Sequence, residues 1–264
     1  MRNDKTVISL CPEGTDTVFA LSAGGMLAGC VAQKRPYNPM YALLPKYEPD
    51  VEVQDLLSLH PDVVLLPAEY DAEKMRQLEQ SGVETIVLAG GTLEEIFENI
   101  RRIGRSLGRA AEAEKIVTKT RYGFSLLAER LRGSDKIRTA FFVSKQPYAV
   151  AAGRSAVNEL LALDGLENVY GEIDRPVAQP DLSTLRLTGV QLVLLPDYPQ
   201  AFSDEDAIRI GNHTEHALTV FVPGELLRAG ASIARLPQFF EQLNEKIRRF
   251  SDDSLADRDK PTYF

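Results

Sequence analysis

The amino-acid sequence predicts an α/β fold of two lobes joined by a single long helix. Strand-like and helix-like segments alternate through residues 1–107, the same alternation returns after residue 133, and an unbroken helical pattern fills the stretch between. Alternation of this kind marks parallel strands linked by crossover helices.

In the first lobe, residues 1–107, strands are expected at Val7–Leu10, Leu27–Val31, Asp62–Leu66 and Thr85–Leu88. Two of them are near-continuous apolar runs, the pattern of a sheet covered on both faces. Helical segments lie between them at Thr15–Leu21, Val53–Leu59, Ala72–Ser81 and Leu93–Leu107, the last opened by Thr92 with Glu95 three residues on, a capping box. The connecting helix falls within residues 108–133. Ile116, Thr120, Phe124, Leu127 and Leu131 recur at helical spacing, and the segment Ala111–Arg132 is about 33 Å long at the usual rise per residue. Gly133-Ser134 ends it. The second lobe, residues 134–250, has strands at Thr139–Val143, Gln191–Leu195 and Leu218–Phe221 and helices at Ala156–Leu163 and Leu236–Phe250; residues 251–264 read as a polar tail. Parallel central sheets make both lobes Rossmann-like, with a ligand expected in the cleft between them.

Composition narrows the function. The 264 residues are 44% hydrophobic and 26% charged, ordinary values for a globular chain. A net charge of −8 argues against a nucleic-acid partner, which needs a basic face. No apolar run approaches the roughly 20 residues of a membrane span. Two cysteines, Cys11 and Cys30, make no disulfide framework; they read as free, small apolar residues at the ends of neighbouring strands. There is no Gly-x-Ser-x-Gly elbow, no phosphate-loop lysine motif and no Gly-x-Gly-x-x-Gly at the first helix, so an enzyme is not expected. Met1-Arg2-Asn3-Asp4-Lys5 leads straight into the first strand without the apolar stretch of an export signal. The expected location is the cytoplasm if this start is native, and the periplasm or cell surface if a signal has been removed.

Candidate binding residues sit where strands end. Cys11, Glu13 and Thr15 lie between the first strand and its helix, where free N–H groups favour a negative ligand group; the plainer reading is a turn capped by Thr15. Glu69 and Tyr70 follow the strand ending at Leu66, and Tyr198 follows the one ending at Leu195. Gln146, Tyr148 and Arg154 line the matching crevice of the second lobe, where Ser155 caps the next helix. The Pro- and Tyr-rich loop Ala32–Asp50 carries Lys34, Arg35 and Tyr37, a wall for a planar ligand with cations to meet its rim anions, or else a solvated loop stiffened by proline. Arg228 completes the ligand-facing set. His60, His213 and His216 are poorly placed as metal ligands, and no Cys- or Glu-rich set completes a metal site. Asp204-Glu205-Asp206 reads as a helix start.

Several segments together resemble a known family. Ser9-Leu10-Cys11-Pro12 followed by Thr15-Asp16 and Phe19-Ala20-Leu21 is similar to the opening SLxPSxTExxFALG of the helical-backbone metal receptors, the class III periplasmic-binding-protein-like substrate-binding proteins of ABC transporters for vitamin B12, haem and ferric siderophores. Gln54–Leu66 resembles LExLLALKPDLVL. Tyr148–Tyr170 resembles YTAGxxSxxxELLxxxGGENV, and Gly224-Glu225-Leu226-Leu227 with Gly230-Ala231-Ser232-Ile233 resembles xxGPRxxEALE.

The resemblance implies reversible binding of a corrinoid, ferric siderophore or haem, with no required cofactor, by a chain expected to be a monomer. It also implies a carboxylate on each lobe for docking an ABC permease, but the matching positions here are Gln54 and Leu185. Two alternatives follow: a cytoplasmic carrier or sensor of the same fold that docks no permease, and an interaction module with a closed cleft.

Overall fold

The computed structural model describes residues 5–33 and 38–252. The chain divides into two compact units, the first made of residues 1–90, 94–119 and 228–234, the second of 91–93, 120–227 and 235–264.

The sheet of the first unit holds β1 (Val7–Ser9), β2 (Leu27–Val31), β3 (Lys46–Tyr47), β4 (Val63–Pro67) and β5 (Glu84–Leu88) in the order β3-β2-β1-β4-β5, every pair parallel. Its helices are α1 (Pro12–Ala20), α2 (Val53–Leu57), α3 (Ala72–Gln80) and α4 (Leu93–Ser106). The core shows why the apolar runs had to be strands: Val63, Val64, Leu65 and Leu66 are all fully buried, because helices cover both faces of β4. Each such side chain contributes about 1.5–3 kcal/mol of burial. Ile8, Leu10, Val64 and Leu66 pack against Val53 and Leu56 of α2 and Leu78 of α3. Strand β3 was not expected; a two-residue strand inside a proline-rich loop shows no alternation to read.

The first helix begins three residues earlier than expected. Pro12 stands at its first position, where a missing N–H costs nothing, and Cys11 is the N-cap without a side-chain hydrogen bond. Thr15 is therefore inside the helix and caps nothing; its hydroxyl donates to the Cys11 carbonyl, 3.2 Å away. The third helix has an acceptor at its start instead, Asp71, whose carboxylate takes the N–H groups of Glu73 and Lys74. A cap of this kind is worth about 1 kcal/mol.

Helix α5 (Ala110–Arg130) gives its residues up to Lys119 to the first unit and those from Thr120 on to the second.

The second unit holds β6 (Ile137–Lys145), β7 (Tyr148–Ala151), α6 (Ala156–Leu163), β8 (Leu166–Asn168), β9 (Val177–Ala178), β10 (Leu192–Pro196), α7 (Asp204–Gly211), β11 (Leu218–Val222) and α8 (Leu236–Asp252). Its sheet runs β11-β10-β6-β7-β9, with β8 also paired to β6. Strands β8, β6, β10 and β11 are parallel, but β7 runs antiparallel to both its neighbours, β6 and β9, so this sheet is mixed rather than wholly parallel. The departure has a local cause. Only Gln146-Pro147 separates β6 from β7, and so short a link turns the chain straight back on itself. Phe142 on β6 meets Tyr148 edge-on at 6.0 Å and Phe202 at 6.2 Å between ring centroids. Ser155 caps α6 by accepting from the Asn158 N–H, and Ser203 with Asp206 forms a capping box on α7, so the acidic run there is a helix start.

Candidate functional site

In each unit the chain places its candidate residues at the carboxyl edge of the sheet. In the first unit, β2 and β3 lie to one side of β1 and β4 and β5 to the other, so the connections after β1 and β4 leave in opposite directions and open a crevice at the switch point. Cys11 and Glu13 follow β1; Glu69 and Tyr70 follow β4.

Several side chains shape this crevice. The Cys11 thiol is buried, and burial raises its pKa well above that of an exposed thiol, with Glu13 adding to the shift. It is a small packing group rather than a reactive thiolate. Cys30 sits on β2 opposite Ser9, also buried, and both cysteines are free. Burial likewise raises the Glu13 carboxyl; its own backbone N–H and Arg228 oppose the rise, while Asp16 and Glu69 add to it. Glu69 is exposed and Tyr70 is half-buried, its hydroxyl enclosed and without a hydrogen-bond partner. Gln33, which its loop position alone did not single out, donates from Nε2 to the Pro12 carbonyl at 3.3 Å and leaves an enclosed Oε1 without a partner.

Arg228 takes a different place from the ligand-facing one expected. Its Nη1 lies 3.0 Å from Asp16 Oδ2 with both side chains buried. The segment around it is seated on α1: the Ala231 N–H donates to Thr17 Oγ1 at 3.0 Å, and a side chain at Gly230 would lie 2.6 Å from the Glu13 carbonyl. Lys34, Arg35 and Tyr37 lie outside the described residues.

In the second unit the crevice forms where the connections after β6 and β10 meet. Gln146 is exposed in the β6–β7 turn, and Tyr148 donates its phenol to Asp206 Oδ1 at 2.9 Å. Burial raises the Tyr148 phenol, and the Asp206 carboxylate that accepts from it adds to the rise. Lys145 bridges to the other connection, its N–H to Gln200 Oε1 at 3.3 Å and its Nζ to the Ala201 carbonyl at 2.8 Å. Tyr198, half-buried, lies with its backbone against Gly224, whose N–H donates to Asp197 Oδ1 at 3.0 Å. Gln146, Tyr148 and Tyr198 therefore share one edge. Arg154 is exposed in the β7–α6 turn, with its Nε 3.1 Å from Asp174.

Among the described residues no three His, Cys, Asp or Glu side chains gather into a metal site, and no helix is long and apolar enough to cross a membrane. His60 is exposed just before β4, at the end of the sheet opposite the crevice, and His213 and His216 lie in the turn after α7. Of the two positions matched to docking carboxylates, Gln54 is exposed on α2, whereas Leu185 is wholly buried in the core of the second unit and presents nothing to a partner.

Residues 7–194 match the family model described as periplasmic binding protein. A vitamin B12-binding protein of Vibrio parahaemolyticus is 27% identical over 176 residues, 66% of this chain and 64% of that relative's length. An uncharacterized ABC transporter substrate-binding lipoprotein of Bacillus subtilis is 22% identical over 256 residues, 93% of this chain and 81% of its own. The crystal structure of a periplasmic haem-binding protein of Vibrio cholerae superposes with a TM-score of 0.78 at 17% identity, covering 92% of this chain and 99% of that one, a likeness of fold. With more than half its length matched by the family model, the chain belongs to the periplasmic binding protein family.

Proposed function

We propose that this chain is a substrate-binding protein that reversibly holds a metal chelate, of the corrinoid, ferric-siderophore or haem type, at the carboxyl edges of its sheets. The observation that carries the reading is the switch-point crevice after β1 and β4, where Gln33 Oε1 and the Tyr70 hydroxyl are enclosed without a hydrogen-bond partner. Such a crevice is where open α/β sheets take ligands. The relatives named above are binding proteins, and this chain carries out no chemistry on its ligand. Among the three ligand types, the sequence relative that binds vitamin B12 favours a corrinoid.

Delivery to an ABC importer is the companion reading, supported by the Bacillus subtilis relative named as a transporter component. With Leu185 buried, docking through the second unit would have to use a neighbouring exposed carboxylate such as Asp181.

Native mass spectrometry of the purified chain with cyanocobalamin, haemin and a ferric hydroxamate tests the binding reading. A one-to-one adduct with one of the three is expected. Bare protein throughout the panel would sink the reading.

A further inference from the structure

The carboxyl edge of the second sheet carries a cation that the sequence did not single out. Lys145 is the last residue of β6, next to the Gln146-Pro147 turn. Its side chain crosses to the connection after β10, where Nζ lies 2.8 Å from the Ala201 carbonyl and 3.5 Å from Asp206 Oδ2. Its backbone N–H donates to Gln200 Oε1 on the same connection at 3.3 Å. The ammonium is thus held in place before any ligand arrives. Of its three protons these contacts occupy two, and with the side chain still 31% exposed the third is open to a molecule bound at this edge. Asp206 does not cancel the charge. Its carboxylate also accepts from the Tyr148 hydroxyl, the Ser203 N–H and the Ser203 hydroxyl, each at 2.9 Å, so the lysine contact at 3.5 Å is the longest of the four. Asp204 and Glu205, the other acids at the start of α7, are exposed, where water and salt screen them.

A cation fixed at a binding edge with a donor to spare attracts an anionic oxygen, and it gives up less side-chain freedom on binding than a mobile lysine would. We propose that Lys145 is a specificity-determining residue of the second unit: its remaining N–H donates to an anionic oxygen on the rim of the bound chelate, with Ala201 and Asp206 as positioning residues. Two chelates of the proposed types carry such an oxygen, haem in its propionate carboxylates and a complete corrinoid in the phosphodiester of its nucleotide loop. The sequence drew attention instead to Lys34 and Arg35 in the proline-rich loop. Lys145 was not legible because its anchors lie 56 and 61 residues further along the chain. This assignment rests on the chelate-binding reading above.

Equilibrium titrations of the full chain with two pairs of probes test it. Haemin is paired with its dimethyl ester, which lacks the carboxylates, and cyanocobalamin with dicyanocobinamide, which lacks the phosphodiester. The wild-type chain is expected to bind haemin or cyanocobalamin, and the one that binds names the source of the anion. Lys145→Met keeps the stem and removes the charge. It is expected to weaken the anionic probe at least about tenfold, the scale of a hydrogen bond from a charged donor, and to shift the analogue by about twofold or less. Lys145→Gln, which retains a donor without the charge, is expected to fall between and serves if Lys145→Met fails to fold. An unchanged affinity for the anionic probe, or an equal loss for probe and analogue, overturns the proposal. Binding of a ferric hydroxamate alone overturns it while leaving the chelate-binding reading intact; binding of no chelate overturns both.

Discussion

Arg228 and Asp16, 212 residues apart in the chain, form a buried ion pair at 3.0 Å. The pair fastens the segment 228–234 to the first helix, and Thr17 reinforces it through the Ala231 N–H. Removing one partner strands the other charge away from water. Asp16→Leu or Arg228→Met is expected to lower unfolding free energy by about 3–5 kcal/mol in urea melts. The double variant Asp16→Leu with Arg228→Met should lose clearly less than the sum of the two single changes, since it leaves no orphaned charge. Additive losses would mean that the pair is not coupled.

Two glycines of the second unit make opposite predictions. A Cβ on Gly224 would fall against the backbone of Tyr198, which cannot move aside as a side-chain tip can. Gly224→Ala is expected to destabilise by about 1–3 kcal/mol and to weaken ligand binding through the displaced Tyr198. Gly211, the last residue of α7, has open space around it. Gly211→Ala is expected to stabilise by about 0.5–1 kcal/mol. Thermal melts of the two variants should therefore move in opposite directions.

Asp164, beside the end of α6, is buried, and burial pushes its carboxyl from 3.8 up to about 8, with a hydrogen bond from the Asn244 amide opposing the shift. Its Oδ2 is enclosed without a partner. The folded chain thus holds a proton that the unfolded chain gives up near pH 4. The stabilisation this confers is complete below that pH and is lost as pH rises towards about 8. Asp164→Asn, which cannot ionise, is expected to be more stable than wild type at pH 9 by about 1–3 kcal/mol, with the gap closing towards pH 4. Urea denaturation at pH 4.5, 7 and 9 measures it; a gap independent of pH would contradict the account.

Much of the fold was legible because burial writes itself into local pattern. Val63–Leu66 and Leu192–Leu195 are apolar without interruption, and both proved to be strands covered on each face. The long helical pattern from residue 111 and the acidic start of α7 were read to within a residue or two of α5 and α7. Strand β7 was not legible: Tyr148–Ala151 follows a proline, and its antiparallel pairing with β6 is a tertiary choice that four residues cannot announce. The site was less legible than the fold. The positions of Glu13, Glu69, Tyr148 and Tyr198 followed from strand ends. That Arg228 pairs with Asp16, that Tyr148 donates to Asp206, and that Leu185 faces the core depend on partners 212, 58 and many other residues away, and no spacing rule reaches that far.

A ligand bound at the carboxyl edge of a sheet should slow amide exchange in the connections that leave that edge. Hydrogen exchange of the full chain with and without saturating cyanocobalamin tests it most directly. Slowed exchange confined to residues 10–14 and 67–71 of the first unit and 145–148 and 197–200 of the second is expected. Unchanged exchange in those four segments, or protection only at the opposite ends of the strands, would contradict it.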